Sequence, residues 1–174
     1  MREVKTVYII GFMGSGKSTA GKKLASALKC RFVDLDDRIE SRLGMKIPDI
    51  FEKEGEKYFR EMESVILREM SKEPLTVVST GGGTPCYGGN MAYMLETGLT
   101  IYLKLTPEQL KRRLSCTGQK RPLLKNVPGN ELLGFITKKL EEREPWYNRA
   151  ALITDGARVD YNLLISLIKK WLDH

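Results

Sequence analysis

The sequence predicts an α/β fold: a parallel sheet of about five strands flanked by helices on both faces. Three observations carry this. Short apolar runs alternate with longer segments of helical periodicity, and strands that alternate with helices pair in parallel. Runs such as "KTVYII" and "LTIYLKL" are almost continuously apolar in their middles, as strands covered on both faces must be. The length, 174 residues, suits one domain with a substantial core, read here as spanning 1–174.

The elements follow in order. "KTVYII" is a buried strand that runs straight into "GFMGSGKST", and "KSTAGKKLASALK" is a helix. "RFVDLD" is a short strand with polar ends. "DRIESRLG" is a helix, with Asp37 and Glu40 spaced as a capping box and Gly44 as a stop. "IPDIFEKEG" holds Pro48 in the first turn of a short helix. "EKYFREMESVILREM" sets Phe59, Met62, Ile66 and Met70 on one helical stripe. "LTVVS" is a strand ending in "TGGGTP", and "LTIYLKL" is the next. "TPEQLKRRL" opens a helix with Thr106 as N-cap and Pro107 at the first helical position. Residues 115–129, "SCTGQKRPLLKNVPG", form a polar, positively charged loop. A loop this long in a compact domain is usually functional, often a lid. "ELLGFITKKLEEREPWY" is a helix expected to end near Pro145. "ALIT" is a last strand, and "YNLLISLIKKWLD" a closing amphipathic helix.

Composition excludes several function classes. No apolar stretch approaches the roughly 18 residues a membrane span needs. The basic start and short apolar run lead into a glycine-rich loop without a small-residue cleavage site. They read as a strand, not a signal peptide, so the cytoplasm is expected. Cys30, Cys86 and Cys116 are far apart and odd in number, which matches neither a disulfide framework nor a zinc pattern. His174, the single histidine, is the last residue, which argues against a buried histidine base. The net charge of +7 permits nucleic acid or small anions as partners. Its basic residues are interspersed with acidic ones, as in "KKLEEREPWYNR", so no nucleic-acid partner is expected.

Gly11, Gly14, Gly16, Lys17 and Ser18 fill the pattern G-x-x-x-x-G-K-[ST] between a strand and a helix. Such a loop turns several N–H groups toward one anion, and the following helix adds its positive end. Gly14, Ser15, Gly16, Lys17, Ser18 and Thr19 are therefore nucleotide-phosphate candidates. Lys17 would reach the outer phosphates and the Ser18 hydroxyl would hold Mg²⁺. Asp34 and Asp36, two apart in "VDLD", would point to one side of an extended segment. They are candidates for metal support and for orienting a hydroxyl acceptor, although turn and capping chemistry also explains such a pair. The strand "LTVVS" ends in Ser79 and Thr80 rather than an acid, which leaves Asp34 as the carboxylate near the metal. Gly81, Gly82 and Gly83 are costly in a turn unless a backbone must approach something closely. Arg60, Arg121 and Arg143 each have a bland reading. Arg60 suits a surface ion pair with Glu56 or Glu63, Arg121 a solvated loop, and Arg143 a helix C-terminus. Together they resemble a clamp for a carboxylate and a transferring phosphate.

The ordered set "GFMGSGKST", "DLD", F-x-x-x-G-E-x-x-F-R from Phe51 to Arg60, "STGGG", "RPLL" and R-x-P-x-Y from Arg143 to Tyr147 resembles the shikimate kinases. The resemblance implies a P-loop kinase architecture with a mobile lid at about 115–129 and substrate-binding helices at about 36–62. It implies ATP as co-substrate, Mg²⁺, and phosphorylation of the 3-hydroxyl of shikimate, a step of aromatic amino-acid and chorismate biosynthesis. It assigns Lys17 and Arg121 to the phosphates, Ser18 and Asp34 to the metal, and Asp36 to the acceptor hydroxyl. Arg60 and Arg143 would hold the shikimate carboxylate, with Gly81, Gly82 and Gly83 closing the pocket and Glu63 steadying Arg60. One departure is plain. Family members often carry Arg-Thr before the lid, where this chain has Ser115 and Cys116. Either Arg112, Arg113 or Arg158 would then contact the adenine, or the adenine would be held less tightly. A monomer is expected. Two alternatives remain open at this point: a kinase for another hydroxy acid such as gluconate, and a nucleotide-dependent switch or nucleic-acid ATPase.

Overall fold

Alternation along the strands sorts the core into two layers, one on each face of the sheet. Strand β1 (Thr6–Ile10) shows both. Val7 and Ile9 join Val77, Ile101, Ala20, Leu24, Leu164 and Ile168 on one side. Tyr8 and Ile10 join Val78, Tyr102, Leu35, Ile50, Phe59, Ile66, Met94, Ile136 and Tyr147 on the other. This is the period-2 pattern of a strand buried on both faces. The computed structural model describes residues 5–70, 72, 74–116, 124 and 127–173.

The sheet has five strands in the order β2-β3-β1-β4-β5, with β2 at Arg31–Asp34, β3 at Thr76–Ser79, β4 at Gly98–Lys104 and β5 at Leu152–Asp155. All four pairings are parallel, as the strand–helix alternation predicts. Helices α1 (Lys17–Leu28) and α8 (Tyr161–Leu172) cover one face. The other carries α2 (Leu35–Leu43), α3 (Ile47–Lys53), α4 (Gly55–Met70), α5 (Asn90–Thr97), α6 (Pro107–Cys116) and α7 (Leu132–Tyr147). With every strand pointing the same way, the loops after β1, β2 and β3 open at one edge, where such sheets bind ligands.

Several expectations change. Helix α2 starts two residues early, and its N-cap is Asp34, whose side chain accepts from the Asp36 N–H. Asp37 is therefore not the cap, and Glu40 does not close a capping box. Glu40 instead accepts from Lys46 Nζ at 2.7 Å and the Ile47 N–H at 3.0 Å, joining α2 to α3. Asp36 lies in the first turn of α2 and not in an extended strand. On α4, Met62 is half-buried, while Glu63 and Leu67 are fully buried beside Phe59, Ile66 and Met70. Helix α7 passes through Pro145 to Tyr147. Pro145 removes one hydrogen bond in the last turn, and burial of the whole Tyr147 ring offsets that loss. Helix α5 is short and flanked by Gly89 and Gly98, and its pattern hides in a glycine-rich stretch that periodicity does not flag. Helix α6 has the expected N-cap at Thr106, which Gln109 reciprocates, and it absorbs Ser115 and Cys116 from the anticipated loop. Most of the expected lid, Arg121 included, lies outside the described residues.

Candidate active site

The loop between β1 and α1 bends because Gly14 and Gly16 adopt φ of 78° and 91°, values L side chains rarely reach. The bend brings the Ser15 N–H to the Phe12 carbonyl at 3.1 Å. Lys17, 8% exposed, folds back to donate from Nζ to that same carbonyl at 2.9 Å. The Ser15 hydroxyl is buried without a partner. A buried unpaired hydroxyl is costly, and it fits an anion arriving in the loop. Helix α1 begins without a side-chain cap, so its first N–H groups also face that space. Gly14, Ser15 and Gly16 thus form the loop, and Lys17, Ser18 and Thr19 the first turn of α1. Arg113 borders the loop: Nη1 donates to the Ser15 carbonyl at 2.9 Å and Nη2 to the Gly156 carbonyl at 3.0 Å. Arg158 is exposed on the turn after β5, and its backbone N–H donates to Asp155.

Ser18 and Asp34 meet directly. The Ser18 hydroxyl donates to Asp34 Oδ2 at 2.5 Å and stands 3.3 Å from the Ser79 hydroxyl. Among the described residues no group of three or more His, Cys, Asp and Glu stands ready for a metal. One hydroxyl beside one carboxylate fits Mg²⁺, which commonly takes one or two protein oxygens and completes its shell with phosphates and water.

The other end of the site is assembled around the glycine run after β3. A Cβ on Gly83 would lie 2.6 Å from Arg60 Nη2, and one on Gly82 would lie 3.2 Å from Arg143 Nη1. Two guanidinium groups therefore rest on adjacent stretches of bare backbone. Asp36 Oδ1 and Glu63 Oε1 each come within 3.1 Å of where a Gly81 Cβ would be. Glu63 is fully buried, yet both its oxygens are used. One accepts from Arg60 Nη1 at 2.9 Å and the other from the Thr84 hydroxyl at 2.6 Å. Burial works against the Arg60 charge, but Glu63 outweighs it and holds the guanidinium's pKa above its ordinary value. Arg143 is 8% exposed, packs its guanidinium over the Phe12 ring at 5.4 Å, and leaves Nη1 buried without a partner. A buried guanidinium N–H with nothing to bind is the donor a carboxylate would meet. The Tyr147 hydroxyl, four residues on, donates to the Gly82 carbonyl and fixes the same backbone from below.

The structure thus unites Lys17, Ser18 and Asp34 at one end and Asp36, Arg60, Arg143, Gly81, Gly82 and Gly83 at the other. Thr84 and Tyr147 carry supporting roles that residue-type reasoning missed. For Tyr147 the signal was present, since it ends the motif that Arg143 begins.

The shikimate kinase family model matches residues 13–169. The chain belongs to that family. A shikimate kinase of Parabacteroides distasonis is 41% identical over 156 residues, covering 90% of each chain. The crystal structure of a Bacteroides thetaiotaomicron shikimate kinase superposes with a TM-score of 0.88 at 36% identity, covering 98% of this chain and 99% of that one. An Acinetobacter baumannii shikimate kinase solved in complex with shikimate gives 0.85 at 31% identity, covering 98% and 94%. A Sinorhizobium meliloti gluconokinase, at 16% identity and a TM-score of 0.56, shares the fold alone while covering 99% of this chain and 91% of its own.

Proposed function

We infer that this chain transfers the γ-phosphoryl group of ATP to the 3-hydroxyl of shikimate. The observation that carries the reading is the pair of guanidinium groups of Arg60 and Arg143 laid against Gly83 and Gly82 beside the Asp36 carboxylate. A cyclic acid with hydroxyls matches that array, its carboxylate between the arginines and one hydroxyl toward Asp36.

In this reading the loop N–H groups, Ser15 and Lys17 hold the transferring phosphate and stabilise the charge it develops. Mg²⁺ carried by ATP would sit at Ser18 and Asp34 and neutralise phosphate charge. Asp36 accepts the proton of the attacking hydroxyl or orients it in line. Arg121 is assigned to the phosphates by the resemblance, and Arg113 takes the adenine side in place of the missing Arg-Thr pair. Arg113 Nη1 and Nη2 each donate to a backbone carbonyl, which fixes the guanidinium plane and leaves its flat face for stacking. We propose a monomer acting in the cytoplasm without a nucleic-acid partner. Among the described residues no helix is long and apolar enough to cross a membrane.

The test is a coupled ADP assay with three acceptors: shikimate, gluconate and the methyl ester of shikimate. Shikimate turnover with little on gluconate is expected. The ester keeps every ring hydroxyl but leaves two arginines without their anion, so its kcat/KM should fall by about 10² or more. An ester used as well as the acid refutes the arginine clamp.

A further inference from the structure

The Arg60 guanidinium is held by more than its ion pairs. Glu63 holds Nη1 at 2.9 Å, but Glu56 reaches Nε only at 3.4 Å and Nη2 at 3.5 Å, from an exposed position. One good hydrogen bond leaves the plane of a guanidinium free to swing about the bonds behind it. Two rings close off that freedom. Tyr87 presents its face to the Arg60 guanidinium with 4.3 Å to the ring centroid, and Phe59 lies at 5.1 Å. Tyr87 is the nearer of the two and is 41% exposed, too open to be explained by core packing. Its backbone is pinned to α4. Arg68 Nη2 donates to the Gly88 carbonyl at 3.1 Å and Nη1 to Asn90 Oδ1 at 3.1 Å, while the Asn90 N–H donates to the Tyr87 carbonyl at 2.9 Å. The Tyr87 hydroxyl donates to exposed Glu56 at a long 3.4 Å, so the useful part of the side chain is the ring.

We propose that Tyr87 is a positioning residue whose ring backs the Arg60 guanidinium and sets its grip on the acceptor's carboxylate. The proposal rests on the reading of Arg60 as a carboxylate ligand. A cation over an aromatic face is attracted to it, and a guanidinium fixed before binding loses less freedom when the ligand arrives. Tyr87 thus acts on affinity for the acceptor and leaves the transfer step alone.

The experiment compares Tyr87→Ala, Tyr87→Leu, Tyr87→Phe and Arg60→Lys in steady-state kinetics with shikimate and with its methyl ester, alongside melting temperatures. Tyr87→Ala and Tyr87→Leu should raise the KM for shikimate about ten-fold with kcat changed less than about two-fold. Tyr87→Phe should match the unmodified protein, because it keeps the ring. The ester, lacking the charge that Arg60 grips, should lose little in either variant. Tyr87→Leu fills the same apolar space, so it decides the matter if the alanine variant folds poorly. An unchanged shikimate KM in Tyr87→Leu, a Tyr87→Phe as weak as Tyr87→Leu, or an equal loss for acid and ester would overturn the assignment. A silent Arg60→Lys would sink the carboxylate reading itself and Tyr87 with it. An impaired Arg60→Lys beside a silent Tyr87→Leu removes Tyr87 alone.

Discussion

The two ends of the site are built from different materials. At the phosphate end the binding groups are mostly backbone N–H, shaped by Gly14 and Gly16 and by the start of α1. At the acceptor end they are side chains from three helices, α2, α4 and α7, laid on bare backbone after β3. A backbone cradle needs consecutive residues and few partners. A side-chain pocket needs buried supports such as Glu63, Thr84 and Tyr147 to hold each group in place. Substitutions should therefore act on catalysis at the first end and on acceptor affinity at the second, with Asp36 at the boundary.

The sharpest way to break that contrast is Lys17→Met. Methionine fills the space of the buried lysine stem and removes the charge aimed at the outer phosphates. Turnover should fall by roughly 10³ or more. The fold loses the hydrogen bond to the Phe12 carbonyl, a contribution of about 1 kcal/mol that corresponds to a drop in melting temperature of about 2–4 °C. Near-normal rates in a folded variant would mean that the loop is not the phosphate site.

Asp36→Asn probes the boundary. The Asp36 N–H serves the α2 cap, so the helix start survives the change. The kcat should fall about 10² while ATP affinity holds. Collapse of ATP binding with a normal rate on bound substrate would move Asp36 to the metal and reassign Asp34.

The same contrast explains what the sequence shows and what it hides. The strands, α1 and the phosphate loop are legible because their determinants are contiguous: apolar runs, a fixed glycine spacing, a lysine. The Asp34–Asp36 pair was legible as chemistry but not as geometry. Both were expected on an extended segment, whereas Asp34 caps a helix that Asp36 begins. The local preference of aspartate for N-caps holds, applied at Asp34 and not at Asp37. Taken singly, Arg60 and Arg143 look like surface cations, and only the ordered motif set reads them as a clamp. Only the fold brings them to Gly83 and Gly82, because that convergence depends on how α4 and α7 pack. Glu63 read as an exposed ion-pair partner, yet it is fully buried between Arg60 and Thr84. No periodicity announces a buried carboxylate whose second partner, Thr84, lies on a separate element.

Gly83→Ala sharpens the acceptor side. The new methyl would lie 2.6 Å from Arg60 Nη2, inside van der Waals contact, so the guanidinium must shift. The flexible end of an arginine moves at small cost in stability, but a shift of its fork misaligns a bidentate contact. The shikimate KM should rise about ten-fold, with the KM for ATP unchanged. A matching rise in the KM for ATP would show that the two ends are not independent.

The smallest expected effect is read on Cys86, which sits in the short 3₁₀-helix Thr84–Cys86 directly after the glycine run. Burial pushes its thiol up to about 11, while Arg143 and Arg60 pull it down and Glu63 adds to the rise. Its thiolate is therefore scarce below about pH 11, and alkylation, which consumes the thiolate, should be slow at pH 9 and quicken toward pH 11. Exposed Cys116 serves as the internal reference in peptide mapping by mass spectrometry. A bound carboxylate offsets the pull of the two arginines, so it raises the thiol further and makes the thiolate scarcer still. Shikimate should then slow Cys86 alkylation by about two-fold and leave Cys116 alone. ATP, bound at the other end, should leave Cys86 as it was. Equal protection by both ligands would mean that Cys86 reports closure of the whole molecule. Protection by neither would place the acceptor's anion away from Arg60 and Arg143.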